Sequence, residues 1–234
     1  MTSLEVYKSR LSKGLLDFFE KYEASLKELI NKLESDNLLL KNFSDAQVTR
    51  LMKIEDSCNG PFKLANDLNG IFNLDRNKMK ERLAHAKRAF DTDNDVRVAQ
   101  HLYAVLPIAY HTTLEKLRIY LLFFIDWAKF NIKIENIKGV GEALNPLKLK
   151  YPDNKYLKYF DPKTRNAFGH YTFFWEPGGK LKLCKHLFDD NPDEIELAKL
   201  MMELSNLSSL INGFYLAYKD KFNLPELDPA MIER

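Results

Sequence analysis

Arg165-Asn166-Ala167-Phe168-Gly169-His170 puts a guanidinium and an imidazole in one short segment, with a carboxamide beside the first and a glycine beside the second. A guanidinium can hold a phosphate through paired hydrogen bonds, and an imidazole titrates near neutrality. Together they offer anion binding and proton transfer. Spacing alone is weak support, because 9 arginines and 5 histidines in 234 residues supply ~0.2 chance matches per fixed separation.

The surroundings add more. Asp161-Pro162 reads as an N-cap followed by proline at the first helical position, so a helix is predicted to begin just before Arg165. The free N–H groups and positive dipole end of such a helix suit an oxyanion. From 145 to 186 the chain carries nine lysines and arginines against three acidic residues, a local charge of +6 that leaves −4 for the remainder. Tyr151, Tyr156, Tyr159, Phe160, Phe168, Tyr171, Phe173, Phe174 and Trp175 share this stretch. Cations for a phosphate backbone and flat rings for bases are what single-stranded nucleic acid requires. Lys163, Tyr171, Lys180 and Lys182 are the candidate RNA contacts around the motif. A lysine-fringed aromatic core gives the same composition, so no individual stacking ring follows from it.

Residues five apart on a regular helix are rotated by about 140°, so Arg165 and His170 would not share a face. Either Gly169 distorts the helix, or two copies of the segment meet in one composite cleft. Both are compatible with a homodimer built on this region.

The hexapeptide resembles the Arg-x(4 to 6)-His signature of the HEPN superfamily, which often carries a polar residue directly after the arginine. The likeness spans about Val96 to Phe222. It implies an all-α, up-and-down helical bundle that dimerises through the motif and needs no metal or other cofactor. Many members are endoribonucleases of toxin–antitoxin, abortive-infection and CRISPR-associated defence; others are inactive modules that bind RNA or a nucleotide. By this resemblance His170 would handle the proton of the ribose 2′-OH or the leaving 5′-oxygen. Arg165 would hold the scissile phosphate, and Asn166 would orient phosphate or histidine. The product would be a 2′,3′-cyclic phosphate. RNA, single-stranded or tRNA-like, is the implied ligand, with an antitoxin or defence protein as a further partner. Thr172 stands where members regulated by tyrosine AMPylation carry tyrosine, so that regulation is not implied. Neither Glu115 nor Asp126 has the basic residue four positions on that some members show. A helical interaction protein with a structural Arg165 and His170 is the alternative outside the family.

The elements that must position the motif are mostly helical. Hydrophobic residues are 45% and charged residues 29%, as in soluble globular chains, and 9 Gly with 9 Pro leave room for long helices. Leu4, Tyr7, Leu11, Leu15, Phe18, Tyr22, Leu26, Leu29 and Leu33 predict one helix of about 30 residues, either packed on its own domain or in a coiled-coil dimer. Residues 1–95 would form this helical arm and 96–234 the bundle. Ser44-Asp45-Ala46-Gln47 reads as a capping box opening a second helix. Asp91 to Asp95 reads as a solvated turn; it lacks the glycine and glutamate of a calcium loop. A helix from Val96 to Phe130 is predicted to break or kink at Pro107, with Leu114 to Phe130 as the core. Residues 131–160 read as a long ordered loop with short helical turns. A small β-hairpin pairs the region of Tyr171–Trp175 with Lys180–Cys184 through a type II turn. Asn191-Pro192-Asp193-Glu194 is predicted to cap the last helix, from Ile195 to Phe222.

Other sites are poorer. His85, His101 and His111 lie in helical stretches, Cys184 and His186 are too few for a metal, and Ser208-Ser209 has no adjacent base. Cys58 and Cys184 suggest no disulfide framework, and MTSLEVYKSR does not read as a signal peptide. The longest apolar run, Ile119 to Ile125, is too short to span a bilayer. A cytoplasmic protein is the expectation.

Overall fold

The computed structural model describes residues 2–54, 57, 93–160, 173–176, 180–184 and 191–222. These are mostly helical, with one small antiparallel sheet, as the sequence predicts. Spatial grouping divides the chain into two compact units, one of residues 1–58, 113–161 and 205–234 and one of 59–112 and 162–204.

The predicted N-terminal helix is two helices in the first unit, α1 (Ser3–Arg10) and α2 (Lys13–Ser35), separated by extended backbone at Leu11 and Ser12. The apolar stripe continues across the break, so periodicity could not reveal it. An unbroken helix would hold Lys8 and Glu23 about 22 Å apart, but the Lys8 ammonium lies 2.5 Å from the Glu23 carboxylate and 3.4 Å from that of Glu20. α1 therefore folds back on α2, and Tyr7 packs edge-on against Phe19. Burial raises the Glu23 pKa, but hydrogen bonds from Lys27 and Lys8 outweigh it and hold the carboxyl below its ordinary value.

The capping box at Ser44 forms as predicted: Gln47 N–H donates to Ser44 Oγ at 3.3 Å, and Ser44 N–H donates to the Gln47 side chain at 2.8 Å. Residues 45–54, α3, are helical. α4 (Asp93–Phe124) includes Asp93, Asn94 and Asp95, which the sequence assigns to a turn, in its first turn. Carboxylates are favoured there by the helix dipole. Pro107 is accommodated inside the helix rather than ending it.

α4 stops at Phe124, six residues before the predicted end, because its last groups bond elsewhere. Phe124 O accepts from Leu40 N–H at 2.9 Å, and Asp126 N–H donates to Leu38 O at 2.8 Å, around a Leu39–Ile125 bridge. A 3₁₀ turn at Trp127–Phe130 follows, its buried indole N–H donating to Leu121 O at 3.0 Å.

The predicted long loop contains a further 3₁₀ turn at Ile134–Asn136 and two helices, α5 (Val140–Lys150) and α6 (Lys155–Tyr159). Gly139 and Pro146 disguise α5 in the sequence, and Glu142 starts it by accepting from the Gly139 and Lys138 N–H groups. Asn154 does two jobs: its Oδ1 caps α6 by accepting from Leu157 N–H, and its Nδ2 donates to Ser25 O on α2.

Residues 205–222 of the last helix, α7 (Leu197–Phe222), run through the core of this unit. Tyr218 stacks on Phe124 at 3.9 Å between centroids, Tyr215 packs on Tyr120, and Phe214 packs on Tyr156. A Cβ on Gly213 would lie 2.3 Å from the buried Phe19 ring, so only glycine lets α2 and α7 approach this closely.

In the second unit Leu106, Ala109 and Tyr110 of α4 are buried. Its sheet has the order β1 (Phe173–Glu176), β2 (Lys180–Leu183), β3 (Asp193–Glu196), all antiparallel. The β1–β2 hairpin is the predicted one; residues 177–179, where the type II turn was placed, lie outside the described residues. β3 is not predicted. Asn191 to Glu194 reads locally as a helix cap, but Ile195 pairs with Leu181 and both are buried, so sheet pairing overrides the local signal and α7 begins at Leu197.

Candidate functional site

Lys163, Arg165, Asn166, His170 and Tyr171 lie outside the described residues, and so does the helix predicted to start at Asp161-Pro162. The flanking residues are well defined. Before the motif, Phe160 is buried, packs edge-on against Tyr156 at 5.0 Å, and accepts from the Lys148 ammonium at 2.8 Å through its carbonyl. After it, Phe173 opens β1 in register with Leu183.

Lys180 and Lys182 both lie on β2, two residues apart and therefore on one face of the sheet. Lys182 is in register with Phe174 on one side and Glu194 on the other, and its ammonium is 2.8 Å from the Glu194 carboxylate. Lys180 is in register with Glu176 and Glu196. Three glutamates thus accompany two lysines across this small sheet. A phosphate that binds Lys182 must compete with a carboxylate already in place. Phe174 keeps 48% of its surface exposed beside it, a flat ring next to a cation.

The aromatic residues upstream have another role. Tyr151, Tyr156 and Phe160 are buried, and the Tyr156 hydroxyl donates to Leu210 O at 3.2 Å. Tyr159 packs on Phe18 and Tyr22 of α2. Of the local cations, Lys150 reaches Asp36 at 3.0 Å, and the same carboxylate accepts from the Tyr151 hydroxyl at 2.8 Å. These two bonds hold the Asp36 carboxyl below its ordinary pKa, while burial and then the Asp36 contact push the Tyr151 phenol well above its own.

Among the alternatives, Ser209 donates to Asn206 O within its own helix, and Glu115 pairs with Arg118, three rather than four positions on. Among the described residues, no three His, Cys, Asp or Glu side chains come together as metal ligands, and no helix is long and apolar enough to cross a membrane.

Two features have no clear signal in the sequence. Glu203 on α7 is half-buried, and burial raises its pKa against the opposing charge of Lys199. It belongs to the second compact unit, and a carboxyl of this kind can exchange a proton closer to neutrality than an exposed one. In the first unit Lys116 is buried on α4, donates to Asn212 Oδ1 at 3.0 Å and lies 5.6 Å from the Tyr120 ring centre. Helical periodicity would give position 116 to the core, and only its lysine hints at a polar cluster.

No family model, curated protein or solved structure matches this chain.

Proposed function

We propose that this chain is a metal-independent endoribonuclease of the HEPN type, acting as a homodimer in the cytoplasm. The observation that carries the reading is the Arg165-Asn166-Ala167-Phe168-Gly169-His170 segment within a predominantly helical chain. The exposed Phe174 ring beside Lys182 supports an RNA ligand, because it pairs a stacking face with a cation.

In the proposed reaction the ribose 2′-oxygen attacks the adjacent phosphorus and the bond to the 5′-oxygen breaks. His170 handles the proton leaving the 2′-hydroxyl or the one reaching the 5′-oxygen, and the partner's copy of the motif completes the cleft. Arg165 stabilises charge on the non-bridging oxygens, and Asn166 holds phosphate or imidazole in place. A 2′,3′-cyclic phosphate and a 5′-hydroxyl result. Toxin–antitoxin or phage defence is the setting this chemistry fits.

The test is RNA cleavage in EDTA by wild type, Arg165→Ala and His170→Ala, with product ends identified by mass. Each substitution is expected to lower the rate by ~100-fold or more. Equal cleavage by all three sinks the proposal.

A second reading, an inactive module that binds RNA or a nucleotide without turnover, or a helical interaction protein, is favoured by the burial of Tyr151, Tyr156 and Phe160 and by the Lys182–Glu194 pair. It predicts no cleavage. Binding that weakens steeply with salt would identify RNA as its ligand.

A further inference from the structure

We infer that α1 is a detachable latch, which opens without unfolding the rest of its unit and bares a buried polar cluster. α1 buries only Leu4 and Tyr7. Polar ties also hold it: Asp220 of α7 accepts from the Ser3 and Leu4 N–H groups at 2.9 and 3.0 Å, and Lys8 is paired with Glu23 and Glu20 of α2. The extended backbone at Leu11 and Ser12 separates α1 from α2, so movement of one need not disturb the hydrogen bonds of the other.

Beneath the latch, Asn212 joins two buried groups. Its Oδ1 accepts from Lys116, and it neighbours the Tyr7 phenol, whose pKa burial pushes up to about 12. Tyr7 is thus a buried anchor of α1 that lies beside Asn212. An isolated helix of eight residues does not persist in water, so α1 should melt when it leaves. Docking and folding of α1 are then one equilibrium, and it is drawn from the low-stability end of the molecule. The buried aromatic rings of α4 and α7 do not depend on it in this way, since Phe124, Tyr120, Phe214 and Tyr218 pack on one another.

Native-state hydrogen exchange on the full chain tests this. Amides of residues 6–10 are expected to exchange ~100-fold faster than those of residues 207–216, and Asp220→Ala should widen the gap about tenfold by speeding only the first group. Lys8→Ala should act in the same direction through the α2 contact, which keeps the test alive should Asp220→Ala fold poorly. Exchange of both groups at one rate in wild type would overturn the latch, as would equal acceleration of both in either variant.

Discussion

Between 145 and 160, Tyr151, Tyr156 and Phe160 are buried, and Lys148 and Lys150 are tied to a backbone carbonyl and a carboxylate. In the β1–β2 hairpin, Phe174 keeps about half its surface in solvent beside Lys182. Both regions belong to one basic, aromatic stretch, yet among the described residues only the second leaves a large ring this exposed. The difference teaches that a composition suited to nucleic acid is also a composition suited to a core edged with lysines. Helix α6 between α2 and α7 brings its rings inward, whereas alternation along a strand sends every second residue out.

The largest expected difference between the two regions is in stability. Tyr156→Ala should cost about 3–5 kcal/mol, as for other large buried aromatic residues, whereas Phe174→Ala should stay near 0.5 to ~1 kcal/mol. Urea unfolding of both variants measures it, and similar costs would erase the distinction. A finer probe is Tyr156→Phe, which keeps the ring and removes the donor to Leu210 O. It should lower stability by about 1 kcal/mol in the same urea titration; no loss would mean that packing alone holds the residue. The smallest stability effect belongs to Lys182→Ala, within ~0.5 kcal/mol because its pair with Glu194 is near the surface. That variant should nonetheless reduce the salt dependence of RNA binding by about one phosphate contact. An unchanged slope in filter binding removes the hairpin from any RNA interface.

What could be read from the sequence divides along similar lines. The capping box at Ser44 and the hairpin were legible because each is a short-range arrangement in which local chemistry and final structure agree. The break between α1 and α2 was hidden because the residues on either side keep the same periodicity. α5 was hidden by Gly139 and Pro146, and β3 by a local cap signal that pairing with Leu181 overrides. Of the candidate site, Lys180 and Lys182 fall on β2 as the hairpin predicts. Their glutamate neighbours include Glu194 and Glu196, which only the third strand could bring into register.

The place of α7 in the first unit bears on how the chain acquires its shape during synthesis. Tyr156 bonds Leu210, Asp220 caps α1, and Phe124 stacks on Tyr218, so ties across the unit end on this last helix. A ribosome adds residues from the N-terminus, and such distant contacts close slowly even when their helices form early. The parts of α2 and α4 that α7 covers must therefore wait, exposed, until residue 218 has emerged. During that interval the nascent chain offers a holdase or a second copy the same surface that Phe214 and Tyr218 later occupy.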